Sequence, residues 1–297
     1  MTRVDRRNLR NGLLFVAPYI LGFLVLEVYP LLSTVKYSLQ EYNVVQPAVW
    51  FGLGNYYRLL HDDIFWKALW NTMYFAIGSV PLGLILALLL AMLLSVKARG
   101  QAVYRTIFFL PTIVPIIVSA VLWLWVLDAQ SGLLNSVLRD YLHFSDLPGW
   151  FADESWTKPA FIMMSLWSIG TAMVIFIAGI AEVPQSLYEV AEIDGAGAFS
   201  KFRHVTLPMV SPVILYNLVM GIINAFQYFT QPYVMTRGRG DPNNAAMFYA
   251  LYLYRNSFNY LQMGYASAMA WIMFLVILGA TLFVLYSSKR WVYYLGE

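Results

Sequence analysis

The chain has 297 residues, of which 60% are hydrophobic and only 12% are charged, with a net charge of +3 at pH 7 and a mean hydropathy of +0.62. These values exclude an ordinary water-soluble domain and are typical of an integral membrane protein. There is no cysteine, which excludes disulfides, thiolate metal sites and a cysteine nucleophile.

Six apolar segments follow one another along the chain, and each is long enough to cross a bilayer, for which about 20 apolar residues suffice. Charged residues are almost absent from their interiors. Core helices of a large soluble protein fit this pattern poorly, because short polar loops separate six such runs. We therefore predict six transmembrane spans, near residues 12–34, 69–95, 104–127, 159–181, 209–230 and 265–288.

Helices are expected in these spans, because backbone groups in lipid need partners inside their own segment or in a closed barrel. The runs are too long, and alternate too little, for the strands of a barrel. The predicted fold class is an all-α integral membrane protein, with a single membrane domain over residues 1–297. The first span is expected to remain as an anchor, because its apolar region is too long for a signal peptide.

Lysine and arginine indicate the orientation of the spans, since the cytoplasmic loops of membrane proteins carry an excess of both. With the N-terminus in the cytoplasm, more than half of the 19 Lys and Arg residues fall in short cytoplasmic segments. The others lie in longer outer loops, 35–68, 128–158 and 231–264, where acidic residues offset them. We predict a multi-pass protein with a cytoplasmic N-terminus and a cytoplasmic loop at residues 182–208.

Sequence patterns of enzyme and metal sites are missing. The three histidines, His61, His143 and His204, lie far apart and show no ligand spacing. No Gly-Lys pair occurs, which excludes a phosphate-binding loop ending in Gly-Lys-Ser or Gly-Lys-Thr, and neither G-x-S-x-G nor HExxH is present. We predict no catalytic residue, no metal site and no enzymatic activity on this chain.

The loop at residues 182–208 concentrates charge in an otherwise apolar chain. Its larger part, residues 189–208, reads EVAEIDGAGAFSKFRHVTLP. A short helix is expected to begin at Pro184, which suits a first helical position, or two residues later at a capping box that opens with Ser186. Two glycines then permit a sharp turn, and a second short helix is predicted over about 198–204.

We expect the two short helices to project from the membrane, with an apolar face that anchors them and charges that they present. Pro208 is expected to end the second helix and to begin the fifth span. The alternative is a loop that lies on the lipid headgroups. Anionic lipid would repel Glu189, Glu192 and Asp194, so a docking site for a cytoplasmic protein is favoured.

These residues resemble the EAA loop of ABC-transporter permeases, which reads Glu-Ala-Ala-x-x-x-Gly, nine residues, and then Ile-x-Leu-Pro. Val190 replaces the middle alanine and Val205 replaces the isoleucine, while the spacing is kept. By this resemblance the loop couples the membrane helices to an ATPase. The matching positions are Glu189, Ala191, Gly195, Leu207 and Pro208.

Nearly the whole chain is similar to the sugar-transporter branch of that family, of the type of the larger maltose permease subunit. Thr230 stands near a position where the family often has Asp, and residues 239–242 replace a Gly-Gly-Pro. The large outer insertion and extra helices of the maltose subunit are absent. The similar segments are FGLGNYYRLL (51–60), FWKALWNTMYF (65–75), YRTIFFLPTIVP (104–115), SGLLNSVL (131–138), FQYFTQPYVMTRG (226–238) and MGYASAMAW (263–271).

The resemblance implies a type I ABC importer permease fold and a role as a permease subunit in the ATP-driven, binding-protein-dependent import of a sugar or oligosaccharide. The implied partners are a second, similar permease, two ATPase subunits, an extracytoplasmic solute-binding protein, the sugar and membrane lipid, but no nucleic acid. ATP and Mg would be bound by the ATPase, so no cofactor is expected on this chain. The implied location is a bacterial or archaeal cell membrane.

Two alternatives stay open. The same fold could import glycerol phosphate or a glycerophosphodiester, although phosphate would favour Arg or Lys facing the pathway, and the span interiors have none. Arg237 and Arg239 at the outer mouth leave room for anionic saccharides. The other alternative is a channel or secondary transporter that works alone.

Amides on the fifth span give candidates for the solute pathway. Asn217, Asn224 and Gln227 follow at intervals of seven and three, so they share one helix face. Buried amides are costly in lipid, so this face should look toward protein or a water-filled cavity. Trp167 and Tyr228 are added as candidates for stacking on a sugar ring. The alternative for the amides is interhelical hydrogen bonding with the partner permease.

Overall fold

The computed structural model describes residues 3–96 and 99–293. Within these ranges the chain is helical apart from turns, loops and one antiparallel pair of two-residue strands, β1 (Gln40–Glu41) and β2 (Val49–Trp50). Four of its helices are long and apolar enough to cross a membrane, and the number rises to six if each of two bent helix pairs is one span. The predicted all-α class is confirmed.

Contacts within the chain group into two units, which are described separately. The first comprises Met1–Asp62 and Leu253–Ile272, and the second comprises Asp63–Tyr252 and Met273–Glu297. The single membrane domain expected over residues 1–297 stays a prediction.

The first unit begins with a long helix that contains a π turn. Tyr29 donates its backbone N–H to Leu24 O, five residues back, and the next residue, Pro30, has no N–H to donate. The wider turn accommodates the proline without ending the helix, so the first span extends beyond the predicted 12–34. The elements are α1 (Arg3–Phe23), the π turn (Leu24–Val28), α2 (Tyr29–Ser38) and α3 (Gly54–Leu60).

The second unit is built on a long helix, α4 (Asp63–Ser95), against which α8 (Glu154–Trp167), α9 (Gly170–Ala181) and α13 (Ser211–Phe226) pack. The close approach of α4 and α13 depends on Gly221, where an added Cβ would lie 2.9 Å from Val80 Cγ1. Other helices of this unit are α5 (Gln101–Ile113), α6 (Ile116–Val126), α7 (Leu133–Asp140) and α14 (Thr230–Thr236). Two further helices, α15 (Tyr249–Tyr254) and α16 (Met263–Ser288), each have residues in both units, and the π turn between them (Arg255–Asn259) belongs to the first.

The third predicted span, 104–127, is not one helix. Helices α5 and α6 meet at 96°, with the break at Val114 and Pro115. Val114 is extended, with a ψ of 126°, because the ring of a following proline disfavours the helical conformation in the preceding residue. The sequence contains the cause of this bend, but prolines are also tolerated inside membrane helices, so the predicted straight span is corrected here.

The fourth predicted span, 159–181, is also bent, by 48° between α8 and α9. The break precedes Gly170, which packs directly against α5. A Cβ at Gly170 would lie 2.4 Å from Thr112 Oγ1 and 3.0 Å from Phe109 Cα, so only glycine permits this approach. The bend is therefore set by tertiary packing, and no local sequence signal predicts it.

The other predicted spans are found as helices with shifted ends. Helix α4 begins six residues before the predicted start of the second span at residue 69. The fifth corresponds to Ser211–Thr236, which passes the test for a membrane-spanning helix over 26 residues. Helix α16 matches the sixth closely.

An aromatic cluster occupies the core of the second unit where the loop after α14 folds inward. Phe248 lies with its ring edge against Phe75 and Phe161, at centroid distances of 5.5 and 5.2 Å. Asn71 of α4 fixes this loop by donating to the backbone oxygens of Asn244 and Met247, at 2.8 and 3.0 Å. The loop thus becomes part of the core against which Tyr228 packs.

Candidate functional site

The charged loop opens with helix α10 (Gln185–Ile193). Pro184 precedes it as the N-cap, with its φ already at −59°, and no side chain caps the helix. Of the two starts that the sequence left open, the structure has the one at Pro184, and the capping box opening with Ser186 does not form.

Helix α10 ends in a Schellman motif. Gly195 has a φ of +75°, its N–H donates to Glu192 O at 3.0 Å, and the N–H of Ala196 donates to Ala191 O at 2.8 Å. This pair of bonds satisfies carbonyl groups at the helix end and needs a left-handed residue, for which glycine is the usual choice. The predicted glycine turn is confirmed, and Gly195 is the residue that makes it.

The second helical run continues through Pro208, which corrects the prediction that this proline ends it. The run consists of α11 (Ala198–Lys201), a π turn (Phe202–Thr206) and α12 (Leu207–Met209). Leu207 donates its N–H to Phe202 O, five residues back, so the widened turn accommodates the missing N–H of Pro208. We refer to residues 185–209 as the helical hairpin.

Two side-chain contacts join the halves of the helical hairpin. The hydroxyls of Tyr188 and Thr206 lie 2.9 Å apart, and Lys201 Nζ lies 2.5 Å from Glu192 Oε1. Thr206 is buried, whereas Glu192 is exposed, so the hydroxyl pair is the better protected of the two. Sequence reasoning missed Tyr188 and Thr206 because a contact across a turn leaves no periodic signal.

The base and the tip of the helical hairpin have opposite environments. At the base, Val183 and Val210 are buried in a cluster with Met173 of α9 and residues of α4. Toward the tip, Ile193 is 85% exposed and Phe199 is 73% exposed. Leu187 and Val190, on the face of α10 that was expected to anchor the loop, are exposed as well, whereas Phe202 and Val205 of the second run pack against the cluster at the base.

The positions that match the EAA pattern divide between these environments. Glu189 and Gly195 are exposed on α10 and at the turn, and Ala191 is half-buried. Leu207 and Pro208 are half-buried at the base, where Pro208 O accepts from Ser211 Oγ at 2.6 Å. The pattern therefore combines an exposed element with the packed root that joins it to α13.

A cleft of about 380 Å³ lies in the second unit between α4, α9 and α13. None of the described side chains that line it is charged. Asn217, Asn224 and Tyr228 of the sequence prediction line it. Its other polar lining residues, which the sequence analysis did not identify, are Ser79, Ser165, Ser168, Thr171 and Tyr216. These residues lie within the predicted spans, so hydroxyl side chains inside a span were the sequence signal that could have identified them.

The two asparagines differ in what they offer to a solute. Asn217 is 8% exposed and donates its Nδ2 to Val213 O of its own helix at 2.9 Å. Asn224 is exposed in the cleft, and its amide makes no hydrogen bond to any residue that the structure describes. Asn224 is therefore the amide best placed to bind a solute from this face.

Tyr228 lines the cleft and has an unpaired hydroxyl. Its ring stacks on Phe75 at 4.2 Å and 21°, and meets the rings of Phe161 and Phe248 nearly at right angles. The oxygen is buried, yet it has no hydrogen-bond partner among residues 3–96 and 99–293. Buried hydroxyls normally have a partner, so this orphan hydroxyl is a candidate for a hydrogen bond to a group bound in the cleft.

Gln227 and Trp167 lie outside the cleft lining. Gln227 is the C-cap of α13, where the helix ends and its periodicity no longer fixes the direction of the side chain. Trp167 packs edge-to-face against Trp123 of α6, with ring centroids 5.9 Å apart. The partner ring comes from another span, so this contact was not visible in the sequence.

Carboxylates in the loop after α6 and before α8 cap turns and helices. Asp128 accepts hydrogen bonds from the Ser131 N–H and hydroxyl and from the Gln130 N–H, and these bonds hold the pKa of Asp128 below its ordinary value. Asp153 caps α8 in the same way through Ser155. Across the part of the chain that the structure describes, no three His, Asp or Glu side chains are grouped so that they could hold a metal ion.

The family described as "Binding-protein-dependent transport system inner membrane component" matches residues 79–293, a range that contains the helical hairpin and most of the cleft. The protein belongs to this family. It is thus an inner membrane component of a transport system, and its resemblance to ABC-transporter permeases is confirmed.

This permease component is similar to named relatives over nearly its full length. It is 36% identical over 295 residues to the "Probable ABC transporter permease protein YesP" of Bacillus subtilis (strain 168), covering 99% of this chain and 95% of the relative. It is 32% identical to the "Lactose transport system permease protein LacF" of Rhizobium radiobacter, covering 94% of each. The fold is similar to that of a chain in the crystal structure of a bacterial alginate ABC transporter in complex with an alginate pentasaccharide-bound periplasmic protein. The TM-score is 0.83 at 23% identity, and the match covers 97% of this chain and 98% of that one. The predicted type I permease fold is confirmed.

Proposed function

We propose that this permease component forms part of an ATP-driven importer that receives a sugar or oligosaccharide from an extracytoplasmic binding protein. The observation that carries the proposal is the cleft of α4, α9 and α13, whose lining includes uncharged polar groups and Tyr228 with its orphan hydroxyl. A solute that both donates and accepts several hydrogen bonds suits this lining, and sugar hydroxyls do both.

The uncharged lining disfavours the other solutes considered. Glycerol phosphate or a glycerophosphodiester would need Arg or Lys at the phosphate, and no described lining residue supplies either. Arg239, at the outer mouth, is paired with Asp241 at 3.0 Å. The lactose transport protein of Rhizobium radiobacter, at 32% identity, supports a sugar as the solute.

The helical hairpin is proposed to be the site at which an ATPase subunit docks. Large apolar side chains that project into water mark interaction surfaces, and Ile193 and Phe199 project beside the exposed Glu189. The packed base would carry the motion of the docked partner into α9 and α13, which flank the loop. We assign the coupling role to Glu189, Ala191, Gly195, Leu207 and Pro208 on this basis.

The remaining parts of the assembly follow from the same proposal. They are a second permease, two ATPase subunits that bind ATP and Mg in place of this chain, and an extracytoplasmic binding protein. The four arginines before the first span, Arg3, Arg6, Arg7 and Arg10, support a cytoplasmic location for the N-terminus. The helical hairpin follows the fourth of the six predicted spans and would lie on the same side. A bacterial or archaeal cell membrane is the proposed location.

The test is uptake by the complex reconstituted in proteoliposomes, with the loaded binding protein outside and ATP inside. Asn224→Ala and Tyr228→Phe remove polar groups from the cleft without altering charge, and each should weaken solute affinity by about tenfold, the value of one hydrogen bond near 1.4 kcal/mol. Gln227→Ala is the matched control, because Gln227 is an amide three residues after Asn224 and lies outside the lining.

Normal affinity in both cleft variants, with loss only of assembled complex, would show that these groups are structural. Uptake by this chain alone, without an ATPase, would replace the proposal with a channel or secondary transporter. Competition by glycerol phosphate and not by sugars would favour the phosphate alternative.

A further inference from the structure

A second polar pocket lies in the first unit, among residues that belong neither to the cleft nor to the helical hairpin. It has a volume of about 400 Å³, within the range of about 300–1,000 Å³ usual for small-molecule sites. Both of the loops that form it, 35–68 and 231–264, are predicted to lie outside the membrane. The side chains that define this pocket, called the Arg58 pocket below, are Tyr42, Asn55, Arg58, Tyr260, Gln262 and Tyr265.

We infer that the Arg58 pocket binds a saccharide. Asn55 gives the pocket a fixed acceptor: it is only 2% exposed, and its Nδ2 donates to Ser38 O at 3.0 Å and to Gln40 O at 2.9 Å. These two bonds use both amide hydrogens and fix which end of the amide is which. Its Oδ1 accepts no hydrogen bond from the residues that the structure describes, so it remains available to a ligand hydroxyl.

Arg58 is oriented by its neighbours. One guanidinium nitrogen donates to Gln262 Oε1 at 3.1 Å, and the guanidinium carbon lies 4.9 Å from the centre of the Tyr265 ring. The Tyr265 hydroxyl in turn donates to Asp62, which holds the ring in place. A guanidinium has five N–H donors, so one bond to Gln262 leaves others for a ligand, and the Gln262 amide nitrogen is a further donor.

Aromatic faces complete the pocket. Tyr260 is 49% exposed and is held by Arg255, whose guanidinium carbon lies 5.5 Å from the ring centre. Tyr42 stacks on Tyr37 at 4.8 Å, which keeps its ring in one orientation. Flat rings beside fixed donors and acceptors suit a pyranose or furanose, which has apolar C–H faces and a rim of hydroxyls. Glu41 also lines the pocket, which disfavours a strongly anionic ligand, and the mainly polar lining disfavours a lipid tail.

The choice of a saccharide rests on the proposed function, in which the solute handled by the assembly is a sugar. The Arg58 pocket shares no lining residue with the cleft. The Arg58 pocket would therefore bind a sugar independently of the cleft.

Photolabelling of the assembled complex in lipid nanodiscs, without binding protein and without ATP, tests this directly. The probes are diazirine derivatives of lactose and of maltotriose, and the modified peptides are mapped by mass spectrometry. We expect label that the parent sugar displaces on segments 41–58 and 260–265. It should fall about tenfold in a Tyr260→Ala, Gln262→Ala double variant, which loses one aromatic face and one hydrogen-bonding amide.

Two variants make the result specific. Tyr141→Ala removes a tyrosine that is 80% exposed and outside the pocket, and should leave the label on both segments unchanged. Asn224→Ala should reduce label in the cleft and leave the Arg58 pocket labelled, which separates the two sites.

The inference is overturned if neither probe gives displaceable label on segments 41–58 and 260–265, or if the double variant is labelled like the wild type. Label confined to the cleft would show that the Arg58 pocket does not bind the sugar, and it would be consistent with the proposed function. A double variant that loses affinity for the binding protein while its sugar labelling is unchanged would make the pocket a protein-docking site, which also overturns the inference.

Discussion

Replacing Gly195 by valine tests whether the helical hairpin transmits motion. Gly195 has a φ of +75°, and a Cβ added there would meet nothing within 4 Å. The cost therefore comes from the backbone conformation and not from a clash. A left-handed conformation costs an L-residue about 1–2 kcal/mol, and a β-branched residue is disfavoured there further.

A cost of about 1.4 kcal/mol reduces the population of the native turn tenfold relative to alternatives. The two bonds of the Schellman motif depend on that turn, so Gly195→Val should loosen the end of α10 and change the direction of the helical hairpin. The residue lies outside every predicted span, so membrane insertion should be normal. We expect loaded binding protein to stimulate ATPase activity less in this variant than in the wild type, measured in proteoliposomes.

Gly197→Ala is the matched control. Gly197 lies two residues away, is also open to added atoms, and has an ordinary φ of −71°, so alanine fits there without strain. Normal stimulation in Gly197→Ala with loss in Gly195→Val supports the coupling role. Equal and normal stimulation in both, together with normal uptake, would refute the reasoning and reduce the loop to a solvated connector.

Three further predictions follow from individual residues. Glu189→Lys should weaken ATPase association tenfold or more, since a charged hydrogen bond is worth roughly 1.5–3 kcal/mol; unchanged co-purification of the ATPase would contradict this. A cysteine at Ser200 should react with an impermeant maleimide only after permeabilisation and one at Ser131 should react in intact cells, whereas outside labelling of Ser200 would reverse the predicted orientation. Asp128 stabilises its turn fully above the ordinary aspartate pKa and loses that contribution as the pH falls through its lowered folded-state pKa. The thermal unfolding temperature of the wild type should therefore fall more on acidification than that of Asp128→Asn. Parallel curves of unfolding temperature against pH for the two proteins would contradict the assignment.

Periodicity and length predicted the membrane helices because those features depend on each segment alone. The bend at Val114 and Pro115 has a local cause, yet proline by itself does not reveal whether a membrane helix kinks slightly or turns by 96°. The bend before Gly170 has no local cause, because it follows from contact with Thr112 of another helix. The sequence therefore predicted where the spans lie along the chain but not where they bend or by how much.

The difference between local causes and contacts from other helices also explains which residues of the cleft the sequence predicted. Asn217 and Asn224 were placed on one face by helical spacing, and both line the cleft. The spacing fails for Gln227 because α13 ends at Phe226. Trp167 packs against Trp123 from a different span, and the orphan state of the Tyr228 hydroxyl depends on its surroundings in three dimensions. The EAA pattern could be recognised in the sequence because its residues lie close together along the chain.

The proposed coupling would reach the cleft through the connections of the helical hairpin. Helix α9 ends just before it and α13 begins just after it, and both line the cleft while packing against α4. Asn224 lies about 20 Å along the axis of α13 from its start at Ser211, at 1.5 Å per residue. With the base of the hairpin packed and Gly195 fixing its turn, a rotation of α13 by about 10° about that base would move Asn224 by about 3.5 Å, as a rigid lever does. A displacement of that size exceeds the length of a hydrogen bond. On the proposed function, a small motion of the hairpin would therefore be sufficient to break a hydrogen bond between Asn224 and a sugar.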